Sequence, residues 1–266
     1  MLSVCATPIG NLADVTLRLL SELREADVVL CEDTRHTRRL LEHHRIRARL
    51  LSYHEHNEAS RTKELLPRLQ AGERIALVSD AGLPGISDPG ARLVRAAQEA
   101  GVPVTVLPGP SAVETALVAS GLVADRYQFV GFLPRGARAL SALWEELAAW
   151  PWPAVAFESP RRLPATLRSL AAADPAWEVA VCRELTKRHE EIVRATAATA
   201  AARFTEPAKG EVTLVLGRGR GTTLAEAEAS TAVAELVAAG VPRRGAVDVV
   251  ARLTGVPRNR LYDMSL

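Results

Sequence analysis

The chain reads as an α/β protein, with two α/β domains, a cleft between them and a small helical module at the C-terminal end. Three observations carry that expectation. From Leu2 to Leu107, short aliphatic and β-branched runs alternate with amphipathic runs of helical spacing, the pattern of a parallel sheet covered by helices. A second, less regular series of strand candidates extends from Tyr127 to Leu216. Beyond the basic, glycine-rich linker Gly217-Arg218-Gly219-Arg220-Gly221, every periodic segment reads as helix. With 266 residues and 48% hydrophobic content there is apolar surface for two cores, and the expected division is 1–114, 115–220 and 221–266.

Taken in order, strands are expected at Leu2–Thr7, Asp27–Cys31, Leu50–His54, Arg74–Ser79 and Val102–Leu107. Between them Leu17, Leu20 and Leu23, then Leu65, Leu66 and Leu69, then Leu93, Val94 and Ala97 recur at helical spacing. A helix at Ser111–Gly121 leads to the second series, with strands at Tyr127–Val130, Ala154–Phe157, Glu178–Val181 and Glu211–Leu216 and helices around Leu140–Leu147 and Pro164–Ala171. The alanine-rich Ala195–Ala202 is read as helix, because alanine has the highest helix propensity. In the tail, Ala227–Ala239 ends at Gly240, Ala246–Thr254 ends at Gly255 and Arg258–Met264 closes, with Pro242 and Pro257 marking starts.

Composition excludes several classes. Lys and Arg total 33 against 31 Asp and Glu, a net charge of +2, so any nucleic-acid footprint must come from local clustering. Cys5, Cys31 and Cys182 are odd in number, widely spaced and without a C-x-x-C pair, which favours reduced, buried thiols in a cytoplasmic protein and argues against a metal site. No apolar run approaches the roughly 18 residues of a membrane span, and Met1-Leu2-Ser3-Val4 lacks a basic signal-peptide start.

The longest ligand-type signature is Ser79-Asp80-Ala81-Gly82-Leu83-Pro84-Gly85-Ile86-Ser87-Asp88-Pro89-Gly90, directly after the strand ending near Val78. It is roughly twice as long as an ordinary strand-to-helix connection. Glycine permits close backbone approach, proline fixes neighbouring dihedrals, and Asp88-Pro89 is placed to cap the next helix. Thr7-Pro8-Ile9-Gly10-Asn11 and Pro108-Gly109-Pro110-Ser111-Ala112 follow two further strands, so three such turns gather at the carboxyl edge of one sheet, where open α/β sheets bind ligands. Neither a P-loop nor a G-x-G-x-x-G spacing occurs. Backbone groups plus two carboxylates suit a neutral or cationic ligand, a description that S-adenosylmethionine fits.

Nine motifs then point to a family. Thr7-Pro8-Ile9-Gly10-Asn11-Leu12, Glu32-Asp33-Thr34-Arg35, Val78-Ser79-Asp80-Ala81-Gly82, Ser87-Asp88-Pro89-Gly90, Pro108-Gly109-Pro110, Gly131-Phe132-Leu133-Pro134, Glu158-Ser159, Arg162-Leu163 and Arg183-Glu184-Leu185-Thr186-Lys187 closely resemble, in order and over essentially the whole chain, the ribosomal RNA small subunit methyltransferase I family. The resemblance implies a tetrapyrrole-methylase type of fold, S-adenosyl-L-methionine in the cleft, a homodimer, and 2′-O-methylation of a decoding-centre cytidine in 16S rRNA of the small ribosomal subunit. It also implies cofactor contacts from Pro8, Asp80, Ala81, Gly82, Ile86, Ser111, Ala112, Leu133, Glu158 and Val212. Two positions depart from the family pattern: Leu83 stands where threonine is common and Ala195 where glycine is usual.

Methyl transfer to a ribose hydroxyl needs a positioned nucleophile, a base and charge stabilisation. The run Arg183-Glu184-Leu185-Thr186-Lys187-Arg188-His189-Glu190-Glu191 supplies both kinds of group, with Glu184 or Glu190 as base and Lys187 as stabiliser; a solvated charge run is the plain alternative. For RNA, the richest cluster is Arg35, His36, Arg38, Arg39, His43, His44, Arg45, Arg47 and Arg49, extended by Arg135 and Arg138 and by Arg161 and Arg162. The tail has helix–turn–helix proportions, with Glu235, Asp248 and Asp263 diluting its arginines, and is expected to grip rRNA or close the dimer. The competing readings are a tetrapyrrole C-methyltransferase using the same cofactor and a non-catalytic nucleic-acid regulator.

Overall fold

The computed structural model describes residues 1–219 and 223–264, so the end of the expected linker, Arg220 and Gly221, lies outside the described residues. In the first half, β1 (Leu2–Cys5), β2 (Val28–Cys31), β3 (Leu50–Ser52), β4 (Ile75–Val78) and β5 (Val104–Leu107) form one sheet in the order β3-β2-β4-β1-β5. All its pairings are parallel. Helices α1 (Leu17–Glu25), α2 (Thr34–His43), α3 (Glu58–Gln70) and α4 (Ala91–Glu99) make the crossovers. β1, β2 and β4 are buried at every position, as strands covered on both faces must be. Two cores flank them, one including Leu2, Leu30, Leu65 and Leu93, the other Leu19, Leu23, Val29 and Leu41.

The second sheet contains β6 (Gln128–Phe132), β7 (Ala154–Glu158), β8 (Glu178–Arg183), β9 (Glu191–Thr196) and β10 (Val212–Leu216) in the order β6-β7-β10-β8-β9. It is mixed: β6 and β7 run parallel, while the β7–β10, β10–β8 and β8–β9 pairs are antiparallel. Helices α6 (Ala137–Ala149), α7 (Leu163–Ala173) and α8 (Ala197–Arg203) cover one face around Trp144, Leu163, Leu167 and Leu214. On the other face lies α5 (Ala112–Ser120), together with Ile9 from the first half and Leu185, Val155, Ala180 and Val215. That cluster is the apolar joint between the halves. The tail is a separate core of α9 (Thr223–Ala238), α10 (Arg243–Thr254) and α11 (Arg258–Met264), built on Val233, Val247, Val250 and Leu261.

Several expectations are corrected. Glu191, read as the end of the charged run from Arg183, and Ala195 and Thr196, read as the start of a helix, belong instead to strand β9, which pairs along β8, so the helix begins only at Ala197. Leu17, expected on the core face, is 87% exposed, because Thr16 caps α1 and the helix turns Leu19 and Leu23 inward instead. Asp88 does not cap α4: the cap position is Gly90, with no side-chain bond.

Candidate active site

The turns after β1, β2 and β4 are laced together at the carboxyl edge of the parallel sheet. Thr7 and Gly82 form an isolated antiparallel bridge, with Thr7 N donating to Gly82 O at 2.9 Å and Gly82 N to Thr7 O at 3.1 Å. The Thr7 hydroxyl donates to Ser79 O at 3.1 Å. Gly82 has φ +75°, a conformation that a side chain would disfavour. On the far side of β4, the Asp33 amide donates to Asp80 Oδ1 at 3.1 Å, so the start of α2 is fastened to the central loop. Asp33 in turn caps α2 by accepting from the Arg35 amide, and its carboxylate grips the Arg35 guanidinium at 2.8 Å. Arg35 holds the Asp33 carboxyl well below the usual range.

The opposite wall belongs to the second sheet. The β6–β7 register shifts between Phe129 and Phe132, with Gly131 at φ +68°, a bulge that re-aims the strand end. Phe132, 62% exposed, and Phe129 each meet the Phe157 ring edge-on, at centroid distances of 5.4 and 5.0 Å. Between the walls lies a cavity of about 600 Å³, within the size range of small-molecule sites. Of the residues expected from sequence, Asp80, Ala81, Gly82, Ile86, Ser111, Ala112, Glu158 and Val212 line it. Pro8 is buried beside it, and Leu133 packs in the core of the second half. Glu158 is buried and spoken for: Arg162 pairs with it at 2.7 Å, and the Ser159 amide and Thr166 hydroxyl also donate to it.

Around the β8–β9 connection the chain is held in costly backbone. Glu184 and Thr186 sit at φ +50° and +64°, left-handed values that non-glycine residues adopt only where the surroundings impose them. Here Thr186 Oγ1 accepts from Asn11 N at 3.0 Å, and Glu190 accepts from Thr186 N at 2.7 Å. Lys187 Nζ bonds Glu184 at 2.8 Å and Glu211 at 2.9 Å. A Cβ on Gly10 would come within 2.4 Å of the Lys187 side chain, which explains the glycine of the first turn. Partial burial opposes the charge on Lys187, but the two carboxylates outweigh it and raise its pKa; the Lys187 bond, first among its causes, lowers that of Glu184. Lys187 is therefore a fixed cation. Glu184, Lys187 and Glu190 stand behind the cavity wall, and their contact with it is through Leu185 and Glu211.

Arg38 and Arg39 are exposed on α2 and, among the described residues, carry no ion pair; Arg135 is likewise exposed on the approach to α6. Arg162 is turned inward to Glu158 and to Leu133 O, at 2.7 Å. Asp88, one of the two carboxylates of the central loop, also lines the wall, and wall residues not singled out from sequence include Glu114, Phe132, Phe157 and Glu211. Phe132 lies inside a quoted motif, a usable signal; Glu114, Phe157 and Glu211 reach the cavity through a helical turn or a strand end that composition does not mark.

The walls suit S-adenosylmethionine on their own chemistry. Small residues at Ala81, Gly82 and Ala112 leave room for close approach, Phe132 and Phe157 give apolar surface for a base, and Asp80 offers a carboxylate to cationic groups.

Comparisons with known proteins agree with this architecture. Residues 1–201 match the family model described as Tetrapyrrole (Corrin/Porphyrin) Methylases, and residues 223–266 match that of the RsmI C-terminal HTH domain. A ribosomal RNA small subunit methyltransferase I from Synechocystis is 44% identical over 271 residues, covering 100% of this chain and 97% of the relative. The protein of that name from Escherichia coli is 41% identical over 270 residues, covering 100% and 94%. Among solved structures, the uroporphyrin-III C-methyl transferase from Thermus thermophilus complexed with S-adenyl homocysteine shares the fold, with a TM-score of 0.57, 20% identity and coverage of 84% and 98%.

Proposed function

Because the chain belongs to the ribosomal RNA small subunit methyltransferase I family, we propose that it methylates the 2′-hydroxyl of a decoding-centre cytidine in 16S rRNA, with S-adenosyl-L-methionine as methyl donor. The observation that best supports this reading is the Asp33–Asp80 bond. It makes the basic helix α2 begin at the rim of the cavity, so a phosphate chain lying along Arg35, Arg38 and Arg39 passes the mouth of a small-molecule site. Arg135 extends the same track. Arg162 serves a different purpose, compensating the buried Glu158.

When bound, the donor supplies an electrophilic methyl group whose bond to sulfur breaks with the electron pair left on sulfur. The chain supplies position and charge. Asp80, with Ala81, Gly82, Ile86, Ser111, Ala112 and Val212, forms the pocket; Pro8 and Leu133 support it from behind. Lys187, clamped by Glu184 and Glu211 behind the cavity wall, holds the β8–β9 connection and the wall residue Glu211 in position. Glu184 and Glu190 hold this loop in shape, since both carboxylates are already engaged. We extend the proposal to a homodimer, in which partner surface covers exposed apolar side chains such as Leu17, Val106 and Val118.

The test is transfer of labelled methyl to purified small ribosomal subunits, set against tetrapyrrole precursors and no acceptor, with the product nucleoside identified by mass spectrometry. Label in a 2′-O-methylcytidine supports the reading. Label only in a tetrapyrrole, or on a base carbon or nitrogen, overturns it.

A further inference from the structure

We propose, on the basis of the methyl-transfer reading above, that Asp88 is the proton acceptor for the ribose hydroxyl. Five carboxylates line the cavity: Asp80, Asp88, Glu114, Glu158 and Glu211. Four are committed. Asp80 takes the Asp33 amide at 3.1 Å, Glu114 takes the hydroxyls of Ser111 and Tyr127, Glu158 pairs with Arg162 at 2.7 Å, and Glu211 holds Lys187 at 2.9 Å. Among the described residues Asp88 has no ion pair, and α4 starts at Ala91 after the Gly90 cap without its help. Its polar support is the Ser79 hydroxyl, which is also directed at the carbonyls of Ala81 and Gly82, at 3.2 and 3.0 Å.

The surroundings fit that assignment. Burial is the largest influence on Asp88, followed by the charges of Glu32 at the end of β2 and Asp80 after β4; against the weaker pull of Ser79, they push its pKa up to about 6. Glu32 is raised as well, by burial and then by Asp80, with His54 opposing and Glu55 and Asp33 adding to the rise. An ordinary aspartate, near 3.9, binds a proton too weakly to serve well at neutral pH, whereas a value close to the working pH is what general-base catalysis favours. In the step itself the hydroxyl O–H bond breaks, the proton passes to a carboxylate oxygen of Asp88, and the bonding pair stays on the ribose oxygen for its new bond to the methyl carbon. The resulting carboxylic acid returns the proton to water.

Three readouts on the full chain test this, comparing wild type with Asp88→Asn and Asp88→Glu. The first is thermal melting across pH without ligand. A carboxylate whose native pKa is raised costs stability only while ionised, so Asp88→Asn is expected to melt above wild type at neutral pH, the gap closing as pH falls through about 6 toward about 4. The second is affinity for S-adenosylmethionine, expected to stay within about threefold of wild type. The third is the single-turnover rate on small ribosomal subunits, expected to fall about 100-fold in Asp88→Asn, with the acidic limb of the wild-type pH profile lost and regained in Asp88→Glu. Identical melting curves, an unfolded Asn variant, a tenfold loss of donor affinity, or an Asn variant that keeps the rate or the acidic limb each overturn the assignment. Inactive wild type brings down the methyl-transfer reading with it; active wild type beside an equally active Asn variant removes Asp88 alone.

Discussion

At the scale of single residues, the site is defined by which charges are satisfied and which are free. Arg162 illustrates the first kind. Removing it in Arg162→Ala leaves the buried Glu158 carboxylate with only the Ser159 amide and the Thr166 hydroxyl, so a loss of about 3 kcal/mol in folding stability is expected, at the low end for a broken buried pair because Arg162 keeps some contact with water. Denaturant titration checks this, and a shift under about 1 kcal/mol would contradict it. Lys187→Ala releases Glu211 at the cavity wall and is expected to lower the single-turnover methylation rate about tenfold with donor affinity unchanged, which rapid-quench kinetics and calorimetric titration separate. Residues of this scale were legible in sequence where a motif forces them to the ligand. Asp80, Ala81 and Gly82 stand in a loop too long for a simple connection, and they do line the cavity. Leu133 shares its motif with Phe132, but alternation along the strand sends Leu133 into the core and the bulge sends Phe132 to the cavity, a choice that depends on register and not on composition.

At the scale of elements, α2 is the feature with the clearest functional consequence. Its buried residues Thr37, Leu40 and Leu41 fix one face to the sheet, leaving Arg38 and Arg39 on the other. Reversing both to glutamate is expected to weaken RNA binding and to reduce the slope of log affinity against log salt by about 1 to 2, measured by filter binding over a salt series. An unaltered slope would place the RNA elsewhere. The parallel strands were easy to anticipate, since continuous apolar runs between amphipathic helices admit few other arrangements. Strand β9 was not. Glu191 closes a charged run and Ala195 opens an alanine-rich one, so the strand is divided between two other readings, and only the pairing of Glu191 with Arg183 on β8, at 2.8 Å, shows why charges are tolerated on this edge.

For the whole molecule, the expected division 1–114, 115–220 and 221–266 cuts α5, which packs as a whole on the second sheet, so we propose two sheet units meeting just before α5 and a tail from 221 devoted to substrate and assembly. A chain lacking residues 221–266 is expected to retain donor binding while its Michaelis constant for ribosomal subunits rises at least about tenfold; light scattering on the intact chain should give twice its 28.6 kDa mass. The tail was legible as helices from its glycine and proline punctuation, and the order of the second sheet was not, because antiparallel and parallel neighbours leave no mark in a strand read alone. One further consequence follows from the apolar joint that unites Ile9 with Leu185, Val155 and Val215 across α5. Surfaces sealed in this way do not swing apart like the jaws of a clamshell. Guest molecules must enter with the halves closed, past exposed lining residues such as Ile86 and Phe132, and calorimetry of the tail-less chain should record one endotherm, both sheets surrendering their order together.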